Sequence, residues 1–151
     1  MITRILVAID GSAHAWKALE LASDLARLYD AELVVIHVVP YEPLPEALRD
    51  FARVEAIPLE EEQARYHQSL SLGDALTRDA EGRARSKGVT KVKGHALEGR
   101  PADAILAAAE REGVDLLVLG SRGLSDPKAL LLGSVSHKVA NLAKCTCVTV
   151  K

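Results

Sequence analysis

Aromatic residues are scarce in this sequence, at 3% of 151 residues, and neither sign of charge dominates, since the formal net charge is -2 at pH 7. Stacking on single-stranded nucleic acid needs several aromatic side chains on one face, and non-specific binding to a phosphate backbone needs a basic excess. The aromatic residues are far apart in the chain: Trp16, Tyr29, Tyr41, Phe51 and Tyr66. We therefore expect neither a nucleic acid nor an anionic membrane as a partner.

The sequence also lacks a stretch that resembles a signal peptide or a membrane span. Its first ten residues, MITRILVAID, have no charged segment followed by a long apolar one. No apolar run approaches the roughly 20 residues of a spanning helix. The two cysteines, Cys145 and Cys147, are interpreted as pointing to opposite faces of a strand, which would keep them from forming a bridge. These features favour a cytoplasmic protein.

Two common nucleotide-binding motifs are missing. The sequence contains no GxxxxGK[ST], which excludes a P-loop nucleotide hydrolase. GxGxxG does not follow the first apolar run, where a dinucleotide-binding fold would carry it. No spacing of histidine and cysteine is typical of a zinc site.

What the sequence does contain is a regular alternation of apolar runs and helical patterns. The runs ITRILVAI and ELVVIHVV are β-branched and aliphatic with little alternation, which is typical of strands buried on both faces. The pattern predicts strands at 2–9, 32–39, 89–97, 114–119 and 145–150, and helices at 13–29, 59–87, 101–112 and 134–143, with a loop at 41–58 that includes a short helix at 45–53. This order predicts a single α/β domain over residues 1–151, with a parallel sheet and right-handed crossovers.

The stretch from Val114 to Ala143 carries the strongest functional signal. An apolar run ends at Gly120, a glycine-bearing loop follows, and a helical pattern begins at Ser134. Such an arrangement suits phosphate, because the first N–H groups of a helix have no partner within it. We expect the glycines of this stretch to adopt backbone angles closed to other residues, and the hydroxyls of three serines to add hydrogen bonds: Gly120, Gly123, Gly133, Ser121, Ser134 and Ser136. Ordinary turn glycines and a serine that caps a helix are the alternative, and spacing alone leaves both open.

The spacing Gly120-x2-Gly123-x9-Gly133-Ser134 resembles the ATP-binding signature of the universal stress protein family. The opening ILVAIDGS and the stretch GRPADAILAAAEREGVDLLVLGSRG resemble further blocks of that family. The resemblance covers nearly the whole chain apart from its proline-bearing middle. It implies a Rossmann-like open sheet of five parallel strands in the order 3-2-1-4-5, with helices on both faces and ATP between strands one and four.

The same resemblance assigns residues to the ATP pocket. Asp10 would bind ribose or help to place Mg2+ or Mn2+ on the phosphates, and Val38 would meet adenine through its main chain. The full set is Ala8, Ile9, Asp10, Val38, Leu119, Gly120, Arg122, Gly123, Gly133, Ser134, Val135 and Ser136. Members of the family often form homodimers through the last strand. Thr146 stands where a proline is common there, so the geometry of the predicted homodimer stays open.

Two polar residues also have purely structural interpretations. Asp10 precedes Gly-Ser, and a carboxylate that bonds the local backbone of a turn is the alternative to a role in ligand binding. His37 interrupts an apolar strand, and the pattern favours a core histidine with one hydrogen bond over a catalytic one.

The glycine loop favours a protein that binds adenine nucleotide, and the family resemblance implies a regulatory module of the stress response. We expect slow ATP hydrolysis at most, because no general base is evident in the sequence. A module of the same fold without nucleotide is one alternative, against which the intact glycine signature argues. An enzyme that transfers adenylyl groups or splits ATP between its α and β phosphates is another. Such enzymes carry HxGH or SGGxDS after the first strand, where this sequence has DGSAHA.

Overall fold

The protein is described by a computed structural model that covers residues 1–41, 45–123 and 133–151. Parts of the predicted proline-bearing loop, at 42–44, and of the glycine loop, at 124–132, lie outside the described residues. The elements are β1 (Arg4–Ala8), α1 (Ala13–Tyr29), β2 (Glu32–Pro40), α2 (Glu46–Val54), α3 (Glu60–Ser86), β3 (Val92–Gly99), α4 (Pro101–Glu112), β4 (Leu116–Gly120), α5 (Ser134–Leu142) and β5 (Thr146–Val150).

The strands form one parallel sheet in the order β3-β2-β1-β4-β5, which confirms the predicted fold. From β1 the chain moves outward to β2 and β3, and it then returns to the other side of β1 as β4 and β5. The carboxyl ends of β1 and β4 therefore flank the point where the strand order reverses, which is where open α/β sheets bind ligands.

The sheet is covered by helices on both faces because its central strands carry apolar residues at successive positions, at 5–8 in β1 and 116–119 in β4. In β1, Ile5 and Val7 belong to the cluster beneath α1 and α3, whereas Leu6 belongs to the cluster beneath α4 and α5. All three side chains are fully buried. Each such burial contributes roughly 1.5–3 kcal/mol to the stability of the folded state.

The predicted third strand begins three residues too early. Gly88 has a φ of +93°, and Val89 donates its N–H to Ala84 O at 3.1 Å, so these residues close the end of α3 instead of entering the sheet. Val89 is buried against the core as part of that helix end. The strand then starts at Val92 and lies at the sheet edge, as its alternating pattern predicted.

The interpretation of the two cysteines was wrong in one respect. Cys145 and Cys147 pack against the same core cluster, beneath α4 and α5, because residues two apart in an extended chain point to the same face. Both are nevertheless free thiols. Burial raises the pKa of both thiols, which disfavours the reactive thiolate.

The longest helix, α3, spans 27 residues and is strongly charged. None of the helices within the described residues combines the length and the apolarity that a membrane crossing requires.

Candidate functional site

A cavity of about 490 Å³ opens at the carboxyl ends of β1, β2 and β4. Every residue that the resemblance assigned to the ATP pocket lies along its wall: Ala8, Ile9, Asp10, Val38, Leu119, Gly120, Arg122, Gly123, Gly133, Ser134, Val135 and Ser136. The fold thus brings together residues from opposite ends of the chain. Their role as ligands of a nucleotide stays a prediction, because a residue in a cavity wall need not bind anything.

Six further residues line the cavity and were missed by the sequence analysis: Ser12, Ala15, His37, Pro40, Pro101 and Ile105. Ser12 and Ala15 belong to the start of α1, and Pro101 and Ile105 to the first turns of α4. The strand order could have indicated these residues. Helices that follow β1 and β3 begin at the same edge of the sheet at which a ligand would enter.

The turn after β1 fixes Asp10 at the rim of the cavity. Gly11 has a φ of +84°, a conformation that favours glycine. Ser12 caps α1 by accepting the N–H of Ala15 at 3.3 Å, and Asp10 Oδ1 accepts the N–H of Ser12 at 2.9 Å. The structural interpretation of Asp10 is therefore correct for one carboxylate oxygen. Oδ2 has a different neighbour, the backbone of Gly123.

The expectation for the backbone angles of the three signature glycines was wrong. None of Gly120, Gly123 and Gly133 has a positive φ. Gly120 is needed because a Cβ there would lie 2.8 Å from the carbonyl carbon of His14, and one on Gly123 would lie 2.7 Å from Asp10 Oδ2. These two glycines allow the end of β4 to pack closely against α1 and Asp10, whereas a Cβ on Gly133 meets only ordinary contacts at 3.5 Å.

The first turn of α5 lines the cavity with backbone donors that have no partner within the helix. Gly133 is the N-cap and provides no side-chain cap, and its carbonyl accepts the N–H of His137 at 2.9 Å. The N–H groups of Ser134, Val135 and Ser136 are therefore the ones without an intrahelical partner. Together with the positive end of the helix dipole, they can bind an anion.

The charged and hydroxyl side chains around this turn differ in what they offer a ligand. Arg122 lines the cavity and is half-buried. The Ser136 hydroxyl donates to Ser121 O at 2.9 Å or to Gly133 O at 3.0 Å, so it is already used as a donor. The expectation that the Ser121 hydroxyl adds a bond to phosphate was wrong, because Ser121 is buried and pairs with His14 Nδ1 at 2.9 Å.

One wall of the cavity is apolar. It is formed by Val38 and Pro40 of β2 and by Pro101 and Ile105 of α4. Val38 and Ile105 are buried members of the core cluster beneath α4 and α5. A cavity with one apolar wall and one wall of backbone donors suits a ligand that combines an apolar ring with an anionic group.

His37 lies between the cavity and α3. Its Nδ1 lies 2.8 Å from Ile9 O. Because a carbonyl can only accept, Nδ1 carries the proton and donates. A Cβ on Gly73 of α3 would lie 3.0 Å from the His37 ring, so the helix packs directly on it. This geometry agrees with the interpretation of His37 as a core histidine with one hydrogen bond.

A family model described as the universal stress protein family matches residues 1–151. The chain belongs to this family. A universal stress protein of Thermus aquaticus is 38% identical to it over 151 residues, which cover 100% of both chains. A relative from Bacillus subtilis, also a universal stress protein, is 36% identical over 100% of both chains.

Solved structures of the universal stress protein family have the same fold. The universal stress protein of Lactobacillus plantarum is 25% identical and superposes with a TM-score of 0.76, covering 99% of this chain and 98% of its own. Another universal stress protein was crystallised in complex with cAMP. It is 28% identical with a TM-score of 0.66, and the match covers 99% of this chain and 96% of that one.

The packing of Gly120 against α1 predicts a stability effect with a matched control. Gly120→Ala should lower the free energy of unfolding by about 1–3 kcal/mol, because its Cβ collides with helix backbone that has no room to move. Gly82→Ala is the control, since Gly82 lies within α3 and an added Cβ would meet nothing within 4 Å among the described residues outside its own helical turn. This substitution should raise stability by about 0.5–1 kcal/mol. Urea unfolding measures both values. Equal effects of the two substitutions would show that the contact at Gly120 is not tight.

Proposed function

We propose that this universal stress protein binds an adenine nucleotide in the cavity described above and acts as a regulatory module of the stress response. The observation that carries the proposal is the first turn of α5, whose first three N–H groups have no intrahelical partner and share the cavity wall with Arg122 and with a group of apolar residues. The relative that was crystallised with cAMP supports it, because cAMP combines an adenine ring with a phosphate.

Each part of the nucleotide has a matching part of the cavity. The phosphates bind the N–H groups of 134–136 and Arg122, where helix dipole and side-chain charge have the same sign. The ribose hydroxyls donate to Asp10 Oδ2, because Oδ1 is already bonded to Ser12. The adenine ring lies against the apolar wall that includes Pro101 and Ile105.

The main chain of Val38 is suited to bind the adenine edge. Ile36 O accepts the N–H of Ile9 at 2.9 Å, so the polar backbone groups of Ile36 face β1. Those of Val38, two residues on, face the same side. The pairing of β1 with β2 ends at Ile36. The N–H and C=O of Val38 therefore have no strand partner there and can pair with the ring.

ATP is the nucleotide that the glycine spacing favours, and slow hydrolysis is the most that we propose. Mg2+ or Mn2+ would arrive on the phosphates. No group of three or more metal-ligating side chains occurs within the described residues, and Asp10 is the only carboxylate among the described residues of the cavity wall. A single carboxylate with phosphates and water suits Mg2+, which is seldom enclosed by protein ligands alone.

We also propose a homodimer through β5, while a cytoplasmic location stays a prediction from the sequence. Among the described residues, β5 is the last strand at its edge of the sheet. Val150 O accepts the N–H of Ser121, so the backbone groups of Val150 face β4 and those of Thr149 face outward. An outward row of unpaired donors and acceptors can pair with a second copy of the chain.

The phosphate contact can be tested by removing one backbone donor without disturbing the helix. Ser134 is the first residue of α5, a position where proline is tolerated, and Gly133 already has the extended angles that precede proline. Ser134→Pro should weaken the binding of ATP and AMP by roughly tenfold, because a hydrogen bond to a charged group contributes about 1.5–3 kcal/mol. The binding of adenosine should not change. Isothermal titration calorimetry measures all three dissociation constants.

Ser134→Ala is the control, since it removes the hydroxyl and keeps the N–H. If Ser134→Pro folds and binds AMP as the parent does, the N-terminus of α5 is not the phosphate site. If the parent protein shows no thermal shift with ATP, AMP or cAMP at millimolar concentration, the proposed function itself is wrong, and a nucleotide-free module of the same fold is the remaining interpretation.

The dimer can be tested at Thr149. Thr149→Pro removes an outward N–H from the edge of β5 and should weaken self-association at least fivefold, whereas Thr149→Ala keeps that N–H and should leave self-association nearly unchanged. Analytical ultracentrifugation gives the dissociation constant of each variant. A dimer that is equally strong in both would place the interface elsewhere.

A further inference from the structure

Ser121 joins three elements of the fold through its main chain. Its N–H donates to Val150 O of β5 at 2.7 Å, and its carbonyl accepts the N–H of Gly133 at 2.7 Å and the hydroxyl of Ser136 at 2.9 Å. Ser121 is only 3% exposed, so water does not compete for these bonds. The start of α5 and the end of β5 are therefore held by the two sides of one residue.

The side chain of Ser121 adds a fourth attachment. Its hydroxyl lies 2.9 Å from His14 Nδ1, at the first turn of α1. The residues on either side, Gly120 and Arg122, line the cavity, but Ser121 itself does not. Ser121 thus helps to position its two neighbours in the cavity wall, although it does not itself line the cavity.

The contact between Ser121 and Val150 is the final hydrogen bond between β4 and β5. The last pair in the register of these two strands is Gly120 with Val150, so this bond follows directly on the end of their pairing. Val150 does not line the cavity. Its carbonyl is nevertheless one hydrogen bond away from the residue that holds the first turn of α5.

We propose that nucleotide binding and the pairing of the carboxyl end of β5 are energetically coupled through Ser121. This inference rests on the proposed function, since it concerns regulation of the same cavity. A nucleotide that binds the first turn of α5 and Arg122 restrains Ser121 from one side. The same restraint strengthens the bond to Val150 on the other. By thermodynamic linkage, loss of that bond must weaken nucleotide binding by the same factor by which the nucleotide strengthens the bond.

Three variants separate the backbone bond from its surroundings. Deletion of residues 150–151 removes the acceptor carbonyl, and we expect the dissociation constant of AMP to rise about fivefold or more, the lower end of typical coupling. Val150→Ala keeps the carbonyl but loses the side chain, which packs on the core cluster beneath α1 and α3. Lys151→Ala keeps both the carbonyl and the side chain of Val150. In these two controls the dissociation constant should change less than twofold. Calorimetry with AMP measures each.

The possible outcomes separate the proposed function from the proposed coupling. If the parent protein does not bind AMP, ATP or cAMP, the proposed function fails and the coupling fails with it. If the parent binds and the deletion of 150–151 binds equally well, the coupling is overturned and the proposed function stands. The coupling is supported if the deletion of 150–151 weakens AMP binding and neither control variant does.

If the deletion variant does not fold, a second measurement on the protein without the deletion tests the coupling. Hydrogen exchange of the Ser121 amide reports the bond to Val150 directly. Saturating AMP should slow it at least fivefold more than it slows the amides of β3, the strand at the opposite edge of the sheet. Equal slowing at both edges would reflect stabilisation of the whole protein and would overturn the coupling.

Discussion

The proposed site depends on how the N-terminus of α5 is held at the end of β4. One buried carbonyl, that of Ser121, accepts hydrogen bonds from Gly133 and Ser136. Because both bonds come from the same helical turn, the turn is fixed in position as well as in direction. Its remaining N–H groups are then held near the position that a phosphate requires, so a ligand has less conformational entropy to remove when it binds.

The close packing of β4 against α1 makes this arrangement possible. Gly120 lets the strand end approach the backbone of His14, and Gly123 leaves room for the Asp10 carboxylate. Two glycines of the signature therefore act through contact distance, not through unusual backbone angles. This explains how a glycine spacing in the second half of the chain is related to a carboxylate at position 10. The signature describes a packing arrangement between β1, α1 and β4 as well as a place for phosphate.

Much of the fold was predictable because apolar runs and helical patterns alternate regularly along the chain. The strand order and the set of pocket residues came from the family resemblance, since no periodicity states which strands are neighbours. The misses have local causes. The third strand was predicted to start too early because the prediction overlooked the end of α3, where Gly88 and Val89 close the helix. The role of Ser121 could not be predicted, because it depends on His14 and Val150, which only the fold brings together.

The central claim is that the first amides of α5, which have no partner within the helix, bind the phosphate of an adenine nucleotide. The most direct measurement is to follow the backbone amide signals by NMR during titration with AMP and, separately, with adenosine. AMP should shift the amides of Ser134, Val135 and Ser136 strongly, and adenosine should shift mainly those near Val38. If AMP binds at saturation and leaves the three α5 amides unmoved, the account of the site is wrong.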